Sequence, residues 1–160
     1  MYRGSVDNNE LIRRLRYALQ IDDPVALRLF KQGGLEATAE QVQAWRLKDE
    51  DDGYIGCPNE AVHAFLAGFI VEKRGLKDGK PVAKPSTSYV ENNTVLKLMK
   101  IALSQQGNEL HECIKAGGGT LSENEVKALM RKPGTRNYRE CGDQALRQYI
   151  NGVGLNQRDD

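Results

Sequence analysis

The chain is written twice. Shifted against itself by 84 residues, it matches without a gap from Asn8-Asn9 over Asn92-Asn93 to Val71 over Leu155. Fourteen of the 64 paired positions are identical, and most of the others exchange apolar for apolar or polar for polar. Such repetition decides how many units fold, so it comes before any local reading. A unit of this size folds alone only marginally, because so much of its surface stays exposed. The repeat therefore predicts one bilobed domain, with two similar units docked through apolar faces. The expected boundaries are 8–75 for the first repeat, 76–91 for a linker and 92–156 for the second repeat.

Each copy carries four helical patterns, so the expected fold is all-α, about four helices per repeat. Leu11, Ile12, Leu15 and Leu19 form an apolar stripe mirrored by Val95, Leu96, Met99 and Leu103. Asn8 and Asn92 are candidate caps for these helices. A short second helix opens at Asp23-Pro24, with proline in a first-turn position. Gly33-Gly34 and Gly117-Gly118 stop the second helices, because glycine accepts a left-handed cap. Thr38 with Gln41, and Ser122 with Glu125, have the spacing of capping boxes at the third helices. Asn59 and Asp143 are candidate caps of the fourth, which carries Val62, Phe65, Leu66 and Phe69, matched by Leu146, Tyr149, Ile150 and Val153. Pro81 and Pro85 mark the linker, long enough at about 3.3 Å per residue to leave the mutual placement of the repeats open.

The positions kept in both copies are the candidate functional residues. Lys48, Tyr54 and Cys57 recur as Lys132, Tyr138 and Cys141 before helix four. They form a candidate polar site, with lysine as anion contact and tyrosine as donor; the competing reading is a tyrosine anchoring a loop and a cysteine serving as a small buried apolar residue. Gly68 and Gly152 lie inside the fourth helices, where glycine costs about 1 kcal/mol relative to alanine. With Ala61 and Ala145 two turns earlier, they predict a close helix-packing face, placed by this reading where the copies meet.

No catalytic residue is expected. The histidines, His63 and His111, are not shared, and no carboxylate is, so duplicated acid–base chemistry lacks its parts. Neither histidine has a partner at ligand spacing, so no metal and no cofactor is expected. The three cysteines form no C-x-x-C pair, which fits a reduced cytoplasmic compartment. Met1 to Asp7 has no apolar signal core, and no apolar run is long enough to span a membrane.

Net charge is +1, from 23 Lys and Arg against 22 Asp and Glu, so there is no global pull toward a polyanion. The charge is unevenly placed. Residues 1–76 total −2 and residues 77–160 total +3. The loop after the first copy's third helix is acidic at Asp49–Asp52, whereas its equivalent holds Arg131, Lys132, Arg136 and Arg139. These four are candidate anion or nucleic-acid contacts. Alternatively the two loops pair with each other, within one chain or head to tail between two. Helix two, its glycine turn and helix three resemble a helix-turn-helix, but the turn is about six residues, longer than the usual three or four. Arg13, Arg14, Arg16, Lys97 and Lys100 add further basic candidates.

Several long segments resemble the YehS-like family of bacterial proteins. They are Asn9–Leu19, Glu36–Val42, Lys48–Asp51, Phe65–Ile70, Glu72–Gly75 and Arg139–Gln144. The resemblance covers nearly the whole chain and implies a cytoplasmic, twice-repeated domain with no activity, cofactor or site residue to carry over. The residues together predict a non-enzymatic module that binds protein partners or self-associates; the alternative is a nucleic-acid-binding regulator.

Overall fold

The structure, a computed structural model, describes residues 6–159. The start of the Met1–Asp7 stretch, residues 1–5, lies outside the described residues. Helices α1 (Asn8–Leu19), α2 (Asp23–Gln32), α3 (Ala39–Ala44) and α4 (Asn59–Arg74) form the first repeat. Helices α5 (Asn92–Ala102), α6 (Glu109–Ala116), α7 (Glu123–Leu129) and α8 (Asp143–Asp159) form the second, and no strand occurs among the described residues.

The repeats share one core and are packed reciprocally. Within each, helix two lies along helix four, α2 on α4 and α6 on α8. Helix one instead lies mainly on helix four of the other repeat, giving an α1/α8 seam and an α4/α5 seam. Exchanging the repeats maps one seam onto the other. The stripe Leu11, Ile12, Leu15 and Ala18 is buried, as is its twin Val95, Leu96, Met99 and Ala102. Because helix one lies mainly on the other repeat, parting the copies would uncover apolar surface of these stripes, a physical reason for keeping the copies together.

Identical arginines close both seams. Arg74, at the end of α4, donates to Ser104 Oγ at 2.7 Å and reaches the Ile101 carbonyl of α5. Arg158, in the same place on α8, holds its guanidinium 5.2 Å from the Tyr17 ring of α1. Tyr17 and Ile101 are themselves equivalent positions.

Gly68 and Gly152 act inside each repeat, not where the copies meet. A Cβ on Gly68 would lie 1.8 Å from the Leu29 carbonyl oxygen of α2, and one on Gly152 1.7 Å from that of Cys113 of α6. The contact is mutual, since a Cβ on Gly33 or Gly117 would strike the Ala64 or Gln148 carbonyl oxygen. Glycine at both places lets the two backbones touch. Ala61 is fully buried on α4, and Ala145 is half-buried on α8. Gly34 and Gly118 take φ of 96° and 97° and terminate α2 and α6.

Both expected capping boxes form, Thr38 with Gln41 and Ser122 with Glu125. The asparagine pairs differ from expectation. Asp7 caps α1, accepting from the Glu10 amide, while Glu91 and Pro58 precede α5 and α4 without a side-chain cap bond. Asn8 and Asn92 instead donate to the Cys57 and Cys141 carbonyls and to the side chains of Asn59 and Asp143. Asn9 donates toward the Ala44, Leu47 and Ile55 carbonyls and accepts from the Cys57 amide. Asn93 donates to the Leu129 and Arg139 carbonyls and accepts from the Cys141 amide. Each pair thus pins the irregular segment between helices three and four to the start of helix one.

The linker is laid against the first repeat. It forms a 3-10 turn at Lys77–Gly79, its Ala83 and Pro85 pass close to Gly34, and Thr87 accepts from Asn59. Ser88 lies with its carbonyl 2.9 Å from His63 Nε2 on α4.

Candidate functional site

The same periodicity that buries one face of α1 presents another. Glu10, Arg13, Arg14 and Tyr17 follow at i, i+3, i+4 and i+7 and share a face. On α8, Arg147, Asn151, Gly154 and Arg158 recur at i, i+4, i+7 and i+11, likewise one face. Where these faces meet they enclose a cleft of about 650 Å³, completed by Ala18 and by Lys48 from the loop after α3. Its floor is a close helix contact, because a Cβ on Gly154 would lie 3.2 Å from the Ala18 backbone.

The cleft is strongly basic. Arg13, Arg14, Lys48, Arg147 and Arg158 line it against the single carboxylate of Glu10. Glu10 accepts from Arg14 at 2.6 Å and from Arg147 at 3.0 Å. Burial works against its charge, but the hydrogen bonds and charges of Arg147 and Arg14 outweigh it and hold its carboxyl below the ordinary range. Arg147 is raised in turn by its bond to Glu10. Arg13 is fixed by donating to the Arg46 carbonyl at 3.0 Å. One carboxylate thus organises two guanidiniums and leaves a large excess of positive charge.

The equivalent surface on the α4/α5 seam has diverged. Glu10, Arg14 and Tyr17 are replaced there by Thr94, Leu98 and Ile101, and Arg147, Asn151 and Gly154 by His63, Ala67 and Ile70. Lys97, Lys132 and Arg74 keep the charges of Arg13, Lys48 and Arg158. Duplication built two seams, and one became charged and aromatic while the other became more apolar.

The residues singled out from sequence are distributed differently. Lys48 lines the cleft, while Cys57 is buried in the core. Tyr54 is half-buried, and its hydroxyl is raised by burial and then by Asp7, Asp49 and Cys57. Tyr138 stands likewise beside Cys141. Burial pushes the Cys57 thiol up, and Cys141 to about 12, the reverse of what a nucleophile needs. Lys132 is exposed on the second repeat's loop. Arg139 pairs with Glu125 at 2.6 Å, and Arg131 donates to the Asn137 carbonyl. Arg136 is exposed beside them. The basic loop is thus tied within its own repeat, and the Lys48 amide likewise donates to Asp51. The expected pairing of acidic with basic loop inside one chain is not formed. Arg16, a basic candidate, is only 7% exposed and is held by Asp23 and by the Ile21 and Val42 carbonyls. Among the described residues no three His, Cys, Asp or Glu side chains cluster as a metal site would, and no helix is long and apolar enough to cross a membrane.

Arg14, Tyr17 and Arg147 have no shared-motif signal, because that part of the cleft is written in what the copies do not share. The spacing of Arg74 and Arg158, identical at the repeat period just beyond the gapless match, was the available clue to the seams.

No solved structure matches the chain. It is similar to "Uncharacterized protein YehS" of Escherichia coli (strain K12), with 35% identity over 150 residues, covering 94% of this chain and 96% of that protein. A family described as "Protein of unknown function (DUF1456)" matches twice, over residues 8–75 and 92–159, the two helical repeats. The chain therefore belongs to this family, which it matches once in each of its helical repeats.

Proposed function

We propose that the chain is a non-enzymatic nucleic-acid-binding protein whose contact surface is the α1/α8 cleft. The observation that carries this reading is the concentration of five cations against one carboxylate on one concave surface of a chain with net charge +1. Local charge of one sign in a cleft focuses the field and favours a polyanion even where the whole molecule is near neutral. The contacts differ from those of a helix-turn-helix. α3 has six residues and carries Glu40, so it offers a groove little to read and a charge that repels phosphate. A protein partner has less support, because the large exposed apolar side chains Leu27, Ile55, Leu76, Ile101 and Leu155 come from different segments of the chain. A non-catalytic role fits buried, protonated thiols. All three cysteines are free and buried, which suits a reducing cytoplasm.

The test is fluorescence anisotropy of labelled oligonucleotides against the full chain across a KCl series. Binding should weaken with salt, with log K falling by about 0.7–0.9 per log unit of salt for each phosphate neutralised. Arg13→Glu with Arg158→Glu should abolish it, while Lys115→Glu on α6 should leave it intact. Salt-insensitive binding, or binding indifferent to the cleft reversals, would overturn the reading.

A further inference from the structure

Tyr17 gives the seam its contact with Arg158 yet leaves most of its ring in solvent. It is 73% exposed on α1, and the equivalent position holds isoleucine. It stands at a junction. Beyond it lies a second depression of about 570 Å³, lined by Arg13, Tyr17, Pro24, Arg46 and the Arg16–Asp23 pair. Arg13 and Tyr17 belong to both concavities, so the two form one track with the aromatic ring at its middle. Arg158 stands over the ring, supporting it with cation–π attraction and keeping it presented at the cleft.

We propose that the ligand of this track is single-stranded nucleic acid, with its phosphates on Arg13, Arg14, Lys48, Arg147 and Arg158 and one base stacked on Tyr17. The inference rests on the cleft being a nucleic-acid site. An aromatic flanked by backbone-neutralising cations is the arrangement that binds single strands without reading sequence, because every base offers a π-face. A duplex keeps its bases stacked inside and has nothing to give Tyr17. The geometry agrees. The cleft is a single groove of about 650 Å³ over the close α1/α8 contact at Ala18 and Gly154. The footprint is short, because Asp22 and Asp23 line the far depression and repel further phosphates. About four nucleotides, the low end for strand-binding folds, fill the track.

The experiment compares labelled dT10, rU10 and a ten-base-pair duplex on the full chain, with Tyr17→Ala and Tyr17→Phe beside the wild type. Both single strands should bind at least tenfold more tightly than the duplex. Tyr17→Ala should weaken them by about 5- to 150-fold, the worth of one stacked base, with the salt slope unchanged and the melting temperature lowered only by the loss of the Arg158 contact. Tyr17→Phe should keep most of the affinity. Unlabelled dTMP should compete far less well per nucleotide than unlabelled dT10. Equal affinity for duplex, or an unaffected Tyr17→Ala, overturns the stacked single strand while salt-dependent binding leaves the cleft reading standing. If dTMP competes as well as the strand, the ligand is a mononucleotide and the inference falls. Absence of salt-dependent binding to all three oligonucleotides overturns both.

Discussion

Glu10 Oε2 accepts from Arg147 Nε at 3.0 Å, joining residues 137 positions apart across the α1/α8 seam. The equivalent positions on the other seam are Thr94 and His63, and His63 turns to the Ser88 carbonyl instead. One seam is thus ion-paired where the other is not.

Glu10→Gln should make that difference measurable. Burial raises the Glu10 pKa, but Arg147 and Arg14 lower it more, so the folded value lies below the ordinary 4.5. Between the two values the unfolded chain binds the extra proton, and stability rises with pH. The contribution is full above about 4.5 and is lost as pH falls through the lowered value. The variant should lose about 1–2 kcal/mol at pH 7 and show a flatter decline in urea midpoint below pH 4.5. It should also bind polyanions more tightly, having removed the cleft's carboxylate. An unchanged acid limb would assign the acid sensitivity to other lowered carboxylates, such as Asp23.

Gly68→Ala and Gly152→Ala should each destabilise by about 3 kcal/mol or more, the upper end of overpacking. Helix propensity alone predicts a gain of about 1 kcal/mol, so the sign separates the accounts. Gly154→Ala meets Ala18 at 3.2 Å rather than under 2 Å and should cost less. Thermal melts of the three variants give the comparison, and neutral melts for Gly68→Ala and Gly152→Ala would refute the carbonyl contact.

Asn9→Ala should cost about 2–4 kcal/mol, because the Cys57 amide and several carbonyls lose their partner in or near the core. Asn9→Asp should be worse. A carboxylate keeps the acceptor but turns two donors into negative charge facing those carbonyls. Denaturant unfolding at pH 7 distinguishes them, and an aspartate variant more stable than the alanine would contradict the network.

The cysteines should react slowly. Cys57 and Cys141 are buried and their thiols raised, Cys141 to about 12, so little thiolate exists at pH 8. Timed labelling with a disulfide reagent should proceed only at the rate of opening and become immediate in 6 M guanidinium. A fast native phase would mean that these segments open far more readily than their hydrogen bonds suggest.

Local features and the docking of two helical repeats were legible in the sequence, but which helices meet across the seams was not. The helices, both capping boxes and the glycine stops rest on contacts within a few residues, and duplication allowed each to be read twice. The pairing of α1 with α8 is not local; it puts Arg14 opposite Arg147 although neither marks a motif. Charge pattern alone could not separate Arg16 from Arg13. They sit three residues apart on one helix, yet Arg16 is sealed by Asp23 while Arg13 lines the cleft. Asn8-Asn9 and Asn92-Asn93 were visible as shared pairs, but the partners of Asn8 and Asn92 lie some 50 residues away, so a local rule misread these two as caps.

The crossed arrangement of α1 on α8 and α5 on α4 has a mechanical corollary. A protease cut in the exposed 3-10 turn at Lys77–Gly79 severs the polypeptide without removing a buried contact. The halves should stay associated after cutting, behaving as a heterodimer made from one gene. What the linker supplies is effective concentration. Nicked protein should therefore melt at a temperature that rises with dilution reversed, whereas the intact chain melts at one temperature at any dilution.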